Sequence, residues 1–98
     1  MVSEALQATT IEKETIANLH FPKDNVWQDD EREKALKRKL WSATRLGNLE
    51  HNKVKVYFED DQGVKMVHTT VWATGEKNIV LKRGVTIPIN RVHEVVIL

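Results

Sequence analysis

The sequence predicts a mainly β fold, a small five-stranded barrel preceded by one or two helices. Two observations indicate it. β-Branched and aliphatic residues crowd the stretch from Gly63 to Val92, and turn residues interrupt this stretch at positions 75–78 and 82–84. The predicted strands are also short, and short strands cover a core better when a sheet curls into a barrel than when it stays open.

Composition indicates one globular domain. The 98 residues leave room for a single core, so we expect one domain over residues 1–98, with a helix and connector in 1–27, a helix in 28–47 and a barrel in 53–98. The chain is 41% hydrophobic and 30% charged, which is typical of folded proteins. Its 15 basic and 14 acidic residues leave a net charge of +1, so no global field attracts nucleic acid or an anionic membrane.

Three absences in the sequence narrow the function classes. With no cysteine the chain has no disulfide, thiol nucleophile or cysteine-based zinc site, which suits a reducing cytosol. No run reaches the length of about 18 apolar residues that a transmembrane helix needs, so we expect no membrane partner. The first eight residues show neither the basic nor the apolar region of a secretory signal; we expect them to be mobile and the protein to be cytoplasmic.

The N-terminal segment predicts a helix and an extended connector. Thr9 and Glu12 have the spacing of a capping box, in which the two side chains satisfy amides of the first turn, so we expect a helix over residues 10–20. Residues 21–27 should be extended, because Pro22 restricts the residue before it and Asp-Asn favours a turn. The apolar residues of this connector would attach it to the core.

A second helix is predicted between an acidic start and a glycine stop. Asp29 or Asp30 serves as the N-cap, acidic residues in the first turn match the helix dipole, and the helix ends at Leu46 before Gly47-Asn48. At about 100° per residue, its apolar side is formed by Leu36, Leu40, Ala43 and Leu46, with Arg32 and Lys39 intruding. This side is expected to be buried.

The opposite side of this helix is the most suggestive local feature of the chain. It carries basic residues around one indole: Lys34, Lys37, Arg38, Trp41 and Arg45. Three interpretations remain open. The cations would contact the phosphates of a nucleic acid while Trp41 stacks on a base; or the indole would be the anchor for an acidic protein partner; or Trp41 would pack on the chain itself and the charges would form an ordinary solvated face.

After the second helix the hydrophobic period changes to two, which predicts strands. Val54, Val56 and Phe58 face one side, and residues 59–63 form a hairpin turn. The return strand over residues 64–73 alternates in a mixed way, as a strand that bends between two sheets requires.

The remaining strands run to the C-terminus. They are expected at residues 78–82, 85–89 and 93–98, with a tight turn at 90–92. Pro88 cannot donate a ladder hydrogen bond, so it belongs at a sheet edge or a bulge. The chain ends in aliphatic residues that the barrel or a second copy must cover, so a homo-oligomer formed through barrel edge strands is a further expectation.

Residues 61–82 resemble the first sequence motif of Sm-like RNA-binding proteins. The order is the same: an acidic-glycine hairpin, a long strand with Val71 near its middle, and Asn78 followed by three aliphatic residues. His68 stands where the family has the glycine at which this strand bends, Thr74 replaces its acidic residue, and Pro88-Ile89 stands where its second motif has Arg-Gly. The resemblance implies an SH3-like or Sm-like barrel behind an N-terminal helix, in which Asn78 would line a base-binding pocket in a ring of subunits.

No catalytic or metal site is expected. Ser3 and Ser42 lie in no nucleophile elbow, no glycine-rich phosphate loop is present, and the histidines have no ligand spacing. The acidic run Glu59-Asp60-Asp61 is expected to be a solvated turn, because a calcium-type cage needs several convergent oxygens. We therefore expect no enzyme activity and no cofactor.

The sequence thus predicts a module that acts through macromolecular contacts, by protein–protein interaction or regulation. Sm-like binding of RNA or single-stranded nucleic acid is the alternative. The candidate contact residues are Lys34, Arg38, Trp41, Arg45, Asn78, Arg83 and Arg91. Of these, Arg83 and Arg91 lie in loops of the predicted barrel and would extend the basic patch.

Overall fold

The computed structural model describes residues 7–98. In this range the fold is mixed α/β and mostly β, with one long helix, α1 (Asp30–Glu50), and seven strands in two sheets. The strands are β1 (Thr9–Thr10), β2 (Val54–Glu59), β3 (Val64–Thr69), β4 (Val71–Thr74), β5 (Asn78–Leu81), β6 (Thr86–Pro88) and β7 (Val92–Ile97). Short 3-10 turns occupy Lys13–Asn18, Lys82–Gly84 and Ile89–Arg91. The expectation of mobility for the first eight residues falls, at residues 1–6, outside the described residues.

The first sheet has the strand order β1-β3-β2-β7. β2 pairs antiparallel with β3, from Val54 opposite Thr69 to Glu59 opposite Val64, which confirms the predicted hairpin. β2 also pairs antiparallel with β7, which comes from the C-terminus of the chain. The second sheet has the order β4-β5-β6, and both of its strand pairs are antiparallel.

A single segment of chain passes from one sheet to the other. β3 belongs to the first sheet and β4 to the second, and only Thr70 separates them. The Thr70 carbonyl accepts a hydrogen bond of 3.1 Å from the Lys82 amide, and the register of β4 against β5 shifts at Trp72, as in a β-bulge. The bend predicted within residues 64–73 is confirmed.

A closed barrel is not found among residues 7–98, since no strand pair there joins the two sheets. The strand count also exceeds the predicted five, because β1 is added and the long return strand is divided. The two sheets instead share one core. Its largest fully buried side chains include Phe58, Ile16, Leu40, Ile79, Leu81, Ile87 and Ile89.

The edge position predicted for Pro88 is confirmed, and the C-terminal aliphatic residues are partly buried. Pro88 is in β6, an edge strand of the second sheet, where it interrupts no ladder. The chain itself covers most of its terminal aliphatic residues: Val92 and Val95 are buried, whereas Leu98 is 60% exposed.

The helix predicted over residues 10–20 is wrong for most of its length. β1 pairs in parallel with β3, and the Ile11 amide extends this pairing with a hydrogen bond of 2.9 Å to the Met66 carbonyl. Because Thr9 lies in this strand, the predicted capping box does not form. A 3-10 turn, Lys13–Asn18, follows and places Ile16 in the core. The apolar residues of this segment share no single helical stripe, so one face of an α-helix would not bury all of them.

Helix α1 begins where predicted and ends later. Asp29 is the N-cap, and its Oδ1 accepts a hydrogen bond of 2.9 Å from the Arg32 amide. The predicted stop at Gly47-Asn48 is wrong, because the helix continues to Glu50. His51, in the left-handed conformation (φ 56°, ψ 30°), ends it, and the His51 amide bonds the Gly47 carbonyl.

Gly47 has a packing role inside the helix. It is buried, and a β-carbon at this position would overlap the Val71 carbonyl oxygen and lie 2.9 Å from Cγ2 of Thr70. Any residue other than glycine would therefore push α1 away from the start of β4. Sequence patterns assign such a glycine to the end of a helix, but Gly47 lies inside α1 and permits close contact between the helix and β4.

Two N-terminal elements cover the open sides between the sheets. α1 packs on β4 of the second sheet and on β7 of the first. Leu36, Leu40 and Ala43 are buried as predicted, whereas Leu46, near the end of the helix, is only half-buried. The Lys13–Asn18 turn packs on β3 and β6, again one strand from each sheet. Because α1 contacts both sheets, its outward side has a fixed position relative to β4.

We expect Gly47→Ala to destabilise the protein by about 1–3 kcal/mol, because the added methyl group overlaps β4. Helix propensity alone predicts the opposite sign, a gain of about 1 kcal/mol. Urea denaturation of this variant and of Ser42→Ala, an exposed position on the same helix, measures the difference. A Gly47→Ala protein as stable as the parent would contradict the close approach of α1 to β4.

Candidate functional site

The side of α1 that faces away from the sheets is exposed and basic. Trp41 is 59% exposed, and Lys34, Arg38 and Arg45 around it are exposed as well. Within residues 7–98 these three cations form no ion pair. We call these four residues the basic face. Trp41 is therefore not buried by the described part of the chain.

The basic face is bounded by acidic residues along the helix. Asp30 and Glu31 occupy the first turn, next to Lys34. Lys37, which the sequence placed with the basic residues, is half-buried and bonded to Glu33 at 2.9 Å, so its charge is largely compensated. The uncompensated cations therefore occupy a stretch of about 16 Å along the helix axis.

The second sheet carries another exposed indole, near the C-terminal end of α1. α1 runs antiparallel to β4, since Asn48 Nδ2 donates to the Trp72 carbonyl at 3.2 Å while the hydroxyls of Thr44 and Thr74 lie 2.7 Å apart. Trp72 is 41% exposed, and its ring centroid lies 6.1 Å from that of His51 in a tilted arrangement. Exposed indoles thus lie on both α1 and β4.

A notch opens between α1 and the turn after β4. It has a volume of about 320 Å³ and is lined by Lys37, Trp41, Thr74, Gly75 and Glu76. Thr74 Oγ1 bonds the Thr44 hydroxyl and lies 3.3 Å from the Leu40 carbonyl oxygen, so it is engaged by the helix. Binding pockets span about 300–1,000 Å³, so this notch fits one large apolar side chain.

Sequence patterns did not assign Trp72 or the notch to the site. Strand alternation did indicate that Trp72 is exposed, because neighbouring residues of a strand face opposite sides and Val71 is buried. The contact of α1 with β4 had no local signal, since Thr44 and Thr74 are 30 positions apart in the chain. The neighbourhood of Trp41 is therefore a tertiary property.

Arg91 requires a correction, since the sequence placed it in an extended basic patch. Its side chain is only 5% exposed. Nε donates to the Glu59 carbonyl at 3.0 Å and Nη1 to the Asp24 carbonyl at 2.9 Å. A buried guanidinium requires partners of this kind. Arg91 therefore attaches the N-terminal connector to the first sheet and is not a surface contact.

Asn78 and Arg83 are exposed, but neither lines the notch. Asn78 begins β5 and lines a neighbouring groove of about 630 Å³ between the connector and β6, which shares Lys37 and Glu76 with the notch. Arg83 is in the left-handed conformation (φ 68°). The hydrogen bond from Lys13 is the main cause of the lowered pKa of Glu14, and the charge of Arg83 lowers it further. The structure thus brings four of the seven candidate residues together.

The acidic run at residues 59–61 is partly buried, and the expectation of a solvated turn is wrong for Asp60. Its side chain is 1% exposed. Oδ1 accepts hydrogen bonds from the amides of Gln62 and Gly63, both at 3.1 Å, and from Lys65 Nζ at 2.9 Å. Burial by itself raises the pKa of Asp60, but the Lys65 ammonium and the two amides outweigh it and lower the pKa below its ordinary value. Asp60 stabilises the hairpin.

Residues 7–98 contain no group of three His, Cys, Asp or Glu side chains placed to hold a metal ion. In the same part of the chain, no helix is long and apolar enough to cross a membrane.

We expect Asp60→Asn to destabilise the protein by about 1–3 kcal/mol near pH 7, because the charge-assisted bonds to Lys65 and the turn are weakened. Since the folded-state pKa is lowered, the carboxylate stabilises the fold above its ordinary pKa of 3.8, and this contribution is lost as the pH falls through the folded-state pKa.

Urea denaturation of the parent and of Asp60→Asn, from neutral pH to below this range, measures the effect. The difference in unfolding free energy should shrink on acidification. Asp61→Asn, at the exposed neighbouring position, is the matched control and should follow the parent. A difference that stays constant with pH would contradict the role of the ionised carboxylate.

No protein-family model, curated protein or solved structure matches the chain. The resemblance of residues 61–82 to the Sm-like motif therefore stays a prediction.

Proposed function

We propose that the chain is a non-enzymatic interaction module that docks an acidic protein partner on its basic face. The observation that carries the proposal is the exposure of Trp41, at 59%, among three cations that have no ion pair within residues 7–98. Tryptophan and arginine commonly dominate the binding energy of protein interfaces. Surrounding cations add electrostatic steering of an acidic partner. A rigid helix also presents these groups without a cost for ordering the backbone.

The charge distribution supports a polypeptide partner over a nucleic acid. The net charge is only +1, whereas nucleic-acid-binding domains are usually strongly basic. Asp30 and Glu31 lie at one end of the basic face, and Glu76 lines the notch beside Trp41. A continuous phosphate backbone would pass these carboxylates, while a protein segment places its acidic groups only opposite Arg38 and Arg45.

A binding role is also supported by the chemistry of the residues themselves. The basic face supplies charge and contact area, which are the properties that recognition requires. The sequence outside it contains no phosphate loop and no nucleophile elbow. The proposed activity is therefore recognition, in the manner of a regulatory or adaptor module.

For the scaffold we propose a small five-stranded barrel of the SH3-like or Sm-like kind, with its open sides covered by α1 and the Lys13–Asn18 turn. Three features support it. β2 pairs antiparallel with β3, and β5 pairs antiparallel with β6. β3 is nearly continuous with β4, and β7 returns to pair with β2. Such a scaffold hosts many functions, so it does not by itself specify the partner.

We expect charge reversal on the basic face to abolish binding of an acidic polypeptide. A fluorescein-labelled random copolymer of glutamate and tyrosine is a suitable probe, because it offers carboxylates and apolar rings without a fixed structure. The double variant Lys34→Glu with Arg38→Glu, and separately Trp41→Ala, should each weaken binding on the order of tenfold or more, measured by fluorescence anisotropy.

The matched control is Lys82→Glu with Arg83→Glu, which makes the same charge change at exposed positions that line neither the notch nor the groove. This pair should bind the copolymer like the parent. Equal weakening by both pairs would indicate non-specific charge attraction, and undiminished binding by the Lys34/Arg38 pair would reject the proposed site.

A second candidate function is binding of single-stranded RNA in the groove that contains Asn78. The groove has apolar walls that include Phe21 and Trp27, and Lys23 and Lys77 lie on its rim. The Asn78 side chain is exposed and has no hydrogen-bond partner within residues 7–98, so its amide is free to pair with a base edge. Aromatic walls with cations nearby are the usual elements of single-strand binding.

If this groove binds RNA, an oligouridylate probe should lose affinity with Lys23→Glu plus Lys77→Glu and keep it with the Lys34/Arg38 pair. The binding constant should fall steeply as salt rises, because phosphate contacts release counterions. Titrations at several salt concentrations measure the slope. A flat salt response, or equal binding by the groove variant, would reject RNA as the ligand.

A further inference from the structure

We propose that the partner segment is an amphipathic acidic helix that lies along the seam between α1 and β4, with one apolar side chain in the notch beside Trp41. This inference rests on the proposed docking of an acidic protein at the basic face. It adds the conformation of the partner segment and the orientation of its two sides.

The two arginines lie on one side of Trp41 and the notch on the other. At about 100° per residue, Arg38 and Arg45 fall on the side of Trp41 that points away from β4, while Thr44, on the other side of Trp41, bonds to Thr74 of β4. The unpaired cations therefore line the outer side of the seam, and the notch, whose Lys37 is paired with Glu33, lies toward β4. A segment that fits both sides must itself be amphipathic, with carboxylates along one edge and apolar side chains along the next.

The spacing of the cations fits a helix. Arg38 and Arg45 are seven positions apart on one side of α1, which is about 10.5 Å along the axis, with Trp41 between them. A partner helix repeats its own face every seven residues with the same rise. An extended strand repeats its face every two residues, so its carboxylates would fall about 7 or 14 Å apart. A helix thus places two carboxylates opposite both cations at once.

The apolar surface has a matching length. The Trp72 carbonyl is bonded to Asn48, which is seven positions, or about 10.5 Å, beyond Trp41 along α1. One apolar side chain of the partner helix enters the notch, and another two turns later reaches the surface near Asn48 and Trp72. Both lie on the same face of that helix, as in other helix-in-groove complexes.

The test uses a designed peptide of Glu, Ala and Leu in which Leu and Glu recur at heptad positions on adjacent faces. Its first control contains a central proline that prevents the helix, and its second control has Lys in place of Glu. The readout is the set of indole N–H resonances of the full chain in two-dimensional NMR. Trp27 is an internal reference, because its Nε1 donates to the Val92 carbonyl at 3.0 Å.

The helical peptide should shift the Trp41 and Trp72 resonances in a saturable manner and leave that of Trp27 in place. The proline peptide should bind at least about tenfold more weakly, and the Lys peptide should not bind. Arg38→Ala with Arg45→Ala should weaken the helical peptide about tenfold, while Lys82→Ala with Arg83→Ala, at exposed positions outside the notch and the groove, should not.

Two outcomes would overturn the inference in different ways. If the proline peptide binds as tightly as the helical one, or only the unstructured glutamate–tyrosine copolymer binds, the helical partner is rejected and docking at the basic face stands. If no acidic probe binds, both the inference and the proposed function are rejected.

Discussion

Closure of a core shared by two small sheets is the constraint on which the rest of the structure depends. The strands are two to six residues long, so neither sheet covers the apolar face of the other along its open sides. Ile16 closes the side between β3 and β6, and Leu36, Leu40 and Ala43 close the side between β4 and β7. The N-terminal half of the chain is therefore part of the core.

This constraint explains why the exposed side of α1 is well placed for recognition. The buried side of α1 is fixed by Gly47 against Val71 and by Thr44 against Thr74. The outward side consequently has one orientation relative to β4, and Trp41 lies at a set distance from the turn that completes the notch. A partner meets a preorganised surface, which lowers the entropic cost of binding.

Local patterns predicted those features that depend on one period or one cap. The N-cap at Asp29, the buried stripe of α1, its basic opposite side and the 59–63 hairpin all follow from such patterns, and the structure has them. The bend between β3 and β4 was also visible, because no single alternation fits residues 64–73.

Other features depend on partners far away in the chain, and local patterns misjudged them. Gly47 reads locally as a helix end, but β4 passes too close for any side chain there. Arg91 and Arg38 are the same residue type, yet Arg91 is buried because the carbonyls of Asp24 and Glu59 accept its N–H groups. Asp60 is buried in a turn for the same reason, because Lys65 and two amides compensate its charge.

The central claim is that Trp41 stands exposed in a field of positive charge, and quenching of indole fluorescence tests it most directly. Iodide and caesium at equal ionic strength sample the same surface with opposite charge. The account predicts that iodide quenches the parent protein more than caesium does, and that Trp41→Phe removes most of this excess. Equal quenching by the two ions, or an excess that survives Trp41→Phe, would contradict it.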